Sequence, residues 1–421
     1  MSSQSPPVQG ARRYLVVAVC FAAIVFDGYD LIVYGSTIPS LLEYEPWALT
    51  RAEAGAIGSY ALLGMFFGAI LAGTLTDRFG RRKLFIGCLV WYSTAMLAVA
   101  LAPTPELLGL FRFIAGLGFG GVAPVAIALV VEVARPHEKN LLNALMLSGL
   151  PVGGVLAAVL TLLWGDVLGF RGLWALGASA LILVVPFAIK VIPETAPSAP
   201  GPAIAGDKPA RGPVRELVGA TRLRWALILF AIANFAGFLL VFGLNTWLPE
   251  LMRGAGYSLG SALTFQVLLN VGAIIGGLAG AVLADRYGNR LVSGAYFLVA
   301  ALAITGMAMT PSLGIMYLVV LLAGAGSIGT QIVLFGYVAT YYPARVRASA
   351  LGISTGVGRL GAVTGPLAGG LLLTAGVSFA GISGAFVAVA LLGLVTCLLV
   401  PRRALDPNEK IGLVTAGVGD G

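Results

Sequence analysis

Apolar residues run along this chain in twelve blocks, at roughly 14–38, 54–76, 84–102, 106–131, 141–163, 172–191, 225–248, 260–284, 291–309, 313–338, 348–373 and 378–400. A helix needs about 20 such residues to cross a hydrocarbon core, and nearly every block approaches or exceeds that length. Short turns separate the blocks, so the pattern predicts an all-α membrane protein: twelve transmembrane helices in two pseudo-symmetric six-helix bundles. The longest polar interval, 193–224, is rich in Pro, Gly and Ala, which is the composition of a flexible linker. The expected division is therefore an N-terminal half (1–192), a cytoplasmic linker (193–224), a C-terminal half (225–400) and a cytoplasmic tail (401–421). The polar stretch Met1–Gly10 precedes a first block too long, and too interrupted by Asp, for a cleavable signal.

Composition sharpens this. Residues are 58% hydrophobic and 10% charged, with mean hydropathy +0.95, whereas soluble domains carry about 25% charged residues. The 58 glycines suit helices that pack backbone to backbone. The net charge of +8 comes from loops rather than from a nucleic-acid surface, and no nucleic-acid partner is expected. The tails, the linker and one set of loops hold nearly every cation, including Arg78, Arg81, Arg82, Lys83, Arg286, Arg290, Arg345 and Arg347, while the other set holds only Arg51, Arg171 and Arg253. The positive-inside rule then places both termini in the cytoplasm and the chain in the cytoplasmic membrane, with lipid as its surroundings. Cys20, Cys88 and Cys397 sit in separate blocks and read as small buried hydrophobes. With His137 as the sole histidine, in a loop, no metal site or other cofactor is expected.

The two halves repeat. Leu75-Thr76-Asp77-Arg78-Phe79-Gly80 recurs as Leu283-Ala284-Asp285-Arg286-Tyr287-Gly288, and Ala115-Gly116-Leu117-Gly118 as Ala323-Gly324-Ala325-Gly326, at one shared offset. Phe26-Asp27-Gly28-Tyr29-Asp30-Leu31 has a scaffold twin in Phe235-Ala236-Gly237-Phe238-Leu239-Leu240, without the carboxylates. Internal repeats of this kind mark carriers that work by alternating access. The asymmetry puts the ionisable chemistry of the first helix in the N-terminal half.

Asp27 and Asp30, at i and i+3, share one helix face inside an apolar run. A charged Asp near the bilayer centre costs roughly 2.5–3.5 kcal/mol on insertion scales, so it faces a wet cavity or a partner. These two are the candidate proton-coupling pair, expected to titrate as a unit. Between the second and third blocks, Gly73-Thr74-Leu75-Thr76-Asp77-Arg78-Phe79-Gly80-Arg81-Arg82-Lys83 reads as a conformational latch. Gly73 would admit another backbone, Gly80 supplies a tight turn, Asp77 can meet a helix N-terminus, and Arg78, Arg81 and Arg82 anchor the loop. Asp285 and Arg286 repeat the motif in part. Arg112 and Arg359 are the only basic residues well inside apolar runs, and a buried Arg stays charged and wants a carboxylate.

The loop motif resembles the signature of the major facilitator superfamily. Asp27-Gly28-Tyr29-Asp30, together with Gly356-Val357-Gly358-Arg359-Leu360-Gly361, resembles its aromatic acid:proton symporter family. The resemblance implies proton-coupled uptake of a small aromatic carboxylate such as benzoate or a hydroxybenzoate, bound between the two halves, with protons as coupling ion and a monomer as the working unit. It also implies that Glu132 couples to the latch loop. Tyr29, Tyr34, Phe238, Phe242, Asn245, Gln331 and Phe335 are candidates to line the cavity, since a ring needs apolar walls and a few polar groups. Depth along the helices puts Arg112 level with Asp30 and Arg359 near Asp27, at about 1.5 Å per residue. Arg359 is therefore expected to receive the substrate carboxylate and Arg112 to hold Asp30.

No nucleotide-cradling loop, nucleophile–base pair or metal cluster appears, so no enzyme is expected. An exporter on the same fold is the first alternative. The cluster Gly149, Pro151, Gly153 and Gly154 lacks the adjacent Gly-Pro pair of proton-coupled drug antiporters, because Leu150 precedes Pro151, and it reads as packing or a hinge. A membrane sensor is the second alternative, disfavoured by the short tail.

Overall fold

The structure, a computed structural model, describes residues 11–135, 138–193, 217–309 and 312–401. The side chains of Ala11, Asp77, Asn140, Ala344, Arg345 and Ala348 lie outside that description, as do His137 and most of the expected linker and tail. Among the described residues the regular structure is entirely helical: α1 (Ala11–Leu42), α2 (Arg51–Phe79), α3 (Arg81–Ala100), α4 (Pro105–Val133), α5 (Lys139–Leu147), α6 (Gly149–Gly177), α7 (Ala180–Leu183), α8 (Val185–Val191), α9 (Thr221–Gly254), α10 (Leu259–Tyr287), α11 (Asn289–Ala308), α12 (Leu313–Tyr341), α13 (Ala344–Thr374) and α14 (Phe379–Leu399). Eleven helical stretches are long and apolar enough to cross a membrane, and Ala180–Val191 is a shorter apolar one.

The fifth and sixth apolar blocks are not two uniform helices. α6 is interrupted at Gly169 (φ 60°, ψ 178°), a conformation open essentially to Gly alone. The chain reverses there. Arg171 donates to the carbonyls of Ala100 and Ala102 at one end of the molecule, while the carbonyl of Ile189 receives Arg82 at the other. The sixth crossing is thus assembled from the end of α6, α7 and α8.

Helix starts differ at the two ends. α2, α4, α10 and α14 begin with Thr50, Thr104, Ser258 and Ser378, whose side chains accept the N–H of the residue three places on. Each cap satisfies one of the otherwise orphaned first-turn donors. α3 and α11 follow Gly80 and Gly288, both with positive φ, and have no side-chain cap. The latter end is the one crowded with Arg and Lys and is called the basic end below.

Helices cross on glycine. At Gly64 and Gly116 the α2 and α4 backbones approach so closely that a Cβ would strike the Phe113 or Ala61 carbonyl. Gly272 and Gly324, 208 residues further on, do the same between α10 and α12. Buried Ala, Val, Leu and aromatic side chains fill the spaces between these crossings. α1 packs on α6, α9 on α13, and α11 on α12 and α14. The N-terminal and C-terminal helices meet along three seams: α2 with α13, α6 with α10, and α1 with α9.

The α2–α13 seam is tight away from the basic end and open towards it. Gly370 abuts the Arg51 carbonyl and Gly55 the Pro366 carbonyl. One turn on, the Ser59 hydroxyl donates to the Val363 carbonyl at 2.6 Å. Further along, a cavity of about 410 Å³ opens between Phe66, Ala69 and Ile70 on one side and Leu351, Thr355 and Arg359 on the other.

Candidate functional site

The candidate site is built where α1, α4, α9 and α13 bring polar groups into the apolar interior. Asp27 and Asp30 are 2% and 1% exposed. Asp30 Oδ1 lies 3.7 Å from Arg112 Nη1, and both side chains are almost wholly withdrawn from solvent. The Arg112 guanidinium also sits over the Tyr34 ring, 4.1 Å from its centroid. Tyr34 is held in turn by donating its hydroxyl to the Ala54 carbonyl at 2.6 Å and by stacking on Trp174. Arg112 is thus held between a carboxylate on one side and an aromatic face on the other.

Asp27 has a different environment. Its Oδ1, like that of Asp30, is buried with no hydrogen-bond partner, but no cation lies within ion-pair distance of it among the described residues. Arg359, across the seam on α13, is the cation that acts on it electrostatically, without a direct ion pair. Arg359 is half-buried, lines the 410 Å³ cavity, and makes no hydrogen bond or ion pair among the described residues. The two arginines therefore differ: Arg112 is already engaged, and Arg359 presents its donors to a cavity.

The structure sorts the expected lining residues. Tyr29, 2% exposed, borders neither of the cavities between the halves that Arg359 and Asn270 line. Its hydroxyl donates to the Leu173 carbonyl at 2.7 Å, so the ring packs inward among the N-terminal helices. Tyr34 likewise faces α2 and Arg112 rather than the seam. Phe238 stacks on Phe242 with centroids 6.0 Å apart, and Phe335 lies 6.2 Å from Phe238, making a half-buried aromatic wall on the C-terminal side. Asn245 and Phe242 border a small enclosed cavity shared with Leu31, Ile32 and Asn270. Gln331 reaches the Asn234 carbonyl at 3.4 Å and keeps an unpartnered Oε1.

Three buried carboxamides escaped the sequence reading: Asn234, Gln266 and Asn270, each fully buried. A signal was available, since Asn234, Phe238, Phe242 and Asn245 recur at helical spacing on one face of α9. Only the fold shows that α10 adds Gln266 and Asn270 to that face.

At the basic end, Gly80 has the positive φ (78°) expected of a tight turn. Arg81 pairs with Glu132 at 3.0 Å, and Arg82 donates to the Ile189 carbonyl at 2.7 Å. The loop is therefore tied to α4 and α8 through these two arginines. Arg78 lies beside the ring of its neighbour Phe79 instead. Asp77, by its side chain, lies outside the described residues. The close backbone approach expected at Gly73 is not made: a Cβ there would meet nothing within 4 Å, because α2 and α13 diverge towards this end. Asp285 and Arg286 are exposed, and neither forms an ion pair among the described residues.

At the opposite end two ion pairs join N-terminal to C-terminal helices: Arg51 with Glu250 at 2.9 Å, and Arg253 with Glu43. Both border a cavity of about 560 Å³. Among the described residues there is no cluster of metal-binding side chains.

Comparison with known proteins gives a consistent set. Residues 20–281 and 267–417 match the family described as the Major Facilitator Superfamily. A gentisate transporter of Corynebacterium glutamicum is 40% identical over 375 residues, covering 86% of this chain and 82% of that protein. A benzoate transport protein of Acinetobacter baylyi is 33% identical, covering 95% and 92%. A bacterial homologue of the human lysosomal transporter Spinster superimposes with a TM-score of 0.75 at 19% identity, covering 95% of this chain and all of the other.

Proposed function

This chain belongs to the Major Facilitator Superfamily, and we propose that it imports an aromatic carboxylate together with protons across the cytoplasmic membrane by alternating access. It is a carrier and not an enzyme. The working unit is a monomer. It consists of two six-helix halves, 1–192 and 225–400, with linker 193–224, tail 401–421 and both termini cytoplasmic. The loop charges support that orientation. With the basic end inside, the tight opposite end and the open α2–α13 seam correspond to an inward-open state.

One observation carries the reading: two buried carboxylates on α1 face two buried or half-buried arginines, and only one of those arginines is engaged. A ring acid is ionised at neutral pH and must shed water to enter, which calls for a fixed cation. The planar guanidinium matches a carboxylate with two parallel hydrogen bonds. Arg359 receives the substrate carboxylate, against the wall of Phe238, Phe242 and Phe335. Without substrate, Arg359 supports the charge of Asp27. When the carboxylate arrives, Asp27 loses that support and takes a proton. Occupancy and protonation are thereby tied without a separate relay. Asp30, held by Arg112, is the second member of the coupled pair.

The test is uptake of labelled benzoate and gentisate into vesicles holding the purified carrier. An inwardly directed proton gradient drives accumulation above equilibrium, and an uncoupler abolishes it. Accumulation that ignores the gradient overturns the coupling; transport of neither acid overturns the substrate class.

A further inference from the structure

The structure assigns to Asn270, a residue the transport reading leaves idle, the recognition of a hydroxyl group on the substrate ring. This rests on the aromatic-acid reading above and adds to it the part of the ring that is sensed. Asn270 is fully buried on α10, yet its Oδ1 has no hydrogen-bond partner among the described residues.

The surrounding bonds set which way its amide points. Asn245 spends its Nδ2 on the Val241 carbonyl at 2.8 Å, so its Oδ1 is the acceptor for Asn270 Nδ2 at 3.2 Å. Asn270 Nδ2 also reaches the Gln266 carbonyl at 3.0 Å, and Gln266 Nε2 binds the Asn245 carbonyl at 2.8 Å. Both Asn270 amide hydrogens are therefore used, and reversing the amide would set oxygen against oxygen. What remains is a carbonyl-type oxygen, rigidly held, beside Gly154 of α6 across the seam. A buried acceptor left without a donor is costly, so a donor supplied by the cargo is favourable there.

The space fits a hydroxyl. Asn270, Asn245 and Thr246 border an enclosed cavity of about 20 Å³ whose other walls include Leu31, Ile32 and Phe242. About 10–15 Å³ accommodates one water-sized group, so the cavity takes an O–H and not a ring. The aromatic wall of α9 links it to the carboxylate site. Gly358, next to Arg359, packs on Phe238. Phe242 is one turn further along α9, and Ile32 is five residues beyond Asp27 on α1. At 1.5 Å per residue both put the cavity roughly 6–8 Å further along the helix axes than Arg359, on the α6–α10 side of the wall that Phe238 and Phe242 make. A ring seated on that wall would offer a hydroxyl to Asn270 Oδ1. The ring would lie along Phe242.

The experiment is equilibrium binding to purified full-length carrier of benzoate, 4-fluorobenzoate, and 3- and 4-hydroxybenzoate. Fluorine is close to hydroxyl in size and cannot donate. The native protein is expected to bind at least one hydroxybenzoate about tenfold or more tighter than benzoate and 4-fluorobenzoate. Asn270→Leu should erase that ratio while leaving benzoate affinity within about twofold, which also reports that the variant is folded. Asn270→Ser, which can still accept, should recover part of the ratio. A native protein indifferent to the hydroxyl overturns the assignment, and so does a preference that survives in Asn270→Leu. If Asn270→Leu does not fold, the native comparison of hydroxyl with fluorine still decides. If none of the four acids binds, it is the aromatic-acid reading that fails.

Discussion

Asp27 and Asp30 occupy equivalent faces of one helix and are almost equally buried, but their partners make them chemically unlike. Asp30 has a cation 3.7 Å away that is itself locked in place; Asp27 has only the electrostatic reach of an arginine that borders a cavity. Asp27→Asn is therefore expected to abolish uphill uptake while leaving substrate exchange across the membrane, since the proton-binding group is lost and the arginine is not. Asp30→Asn is expected to abolish uphill uptake too, and in addition to lower stability, because it leaves Arg112 buried without its counter-charge. Accumulation assays on both variants, with thermal unfolding in detergent, separate the two effects; full accumulation by both would end the proton role. For the anion site, Arg359→Lys should weaken binding more than tenfold, on the order of 1.5–3 kcal/mol for a charged hydrogen bond. Unchanged affinity in Arg359→Lys and Arg359→Ala, with loss only in Arg112 variants, would move the carboxylate site to α4.

At the scale of the element, both copies of the repeated loop motif are tied to neighbouring helices, but among the described residues only the first uses an ion pair. The α2–α3 copy ties to α4 and α8 through Arg81 and Arg82, and the α10–α11 copy makes the matching ties by donating from Asn289 to the Thr340 hydroxyl and from Arg290 to the Leu398 carbonyl. Asp77→Asn is expected to slow transport more than Asp285→Asn, because only the first loop carries the complete motif, and Asp77→Glu, which adds one methylene, to be poor as well. Initial uptake rates compare the three; near-normal rates throughout would reduce the loop to a topological marker. The turn at Gly169 offers a cleaner stability test. Its backbone conformation costs a Cβ-bearing residue roughly 1–3 kcal/mol, and a Cβ there would touch nothing within 4 Å. Gly169→Ala should then lower the unfolding temperature through backbone strain alone, without altering substrate affinity.

At the scale of the molecule, closure of the end opposite the basic loops has two parts. Glycine-mediated backbone contacts at Gly55 and Gly370 form its floor, and the ion pairs Arg51–Glu250 and Arg253–Glu43 form its rim. The pairs are partly exposed, so each contributes about 0–1 kcal/mol. Removing both by Glu43→Gln with Glu250→Gln should shift the balance of open and closed states by no more than roughly thirtyfold. Spin labels at Ile70 and Leu351, which face each other across the open part of the α2–α13 seam, should then lose population at long separation. An unchanged distance distribution would assign closure to the backbone contacts alone.

Much of this was legible without a fold. Runs of about 20 apolar residues admit one structure in a bilayer, because only a helix satisfies its own backbone there. An Asp or Arg inside such a run stands out for the same reason, so Asp27, Asp30, Arg112 and Arg359 could be singled out by type and depth. What the sequence could not supply was which way the remaining side chains face. In a membrane the lipid-facing and the packed side of a helix are both apolar, and periodicity carries little of the signal it has in water. The sequence thus could not show that the Tyr29 and Tyr34 hydroxyls are spent on the Leu173 and Ala54 carbonyls, or that Gly73 meets no other backbone. Asn270 was passed over as one amide in an apolar run. Its meaning depends on Asn245, brought beside it by the α9–α10 crossing, and on Gly154 across the seam, residues that meet it only once the helices are packed; Gln266, one turn away on α10, is its local partner.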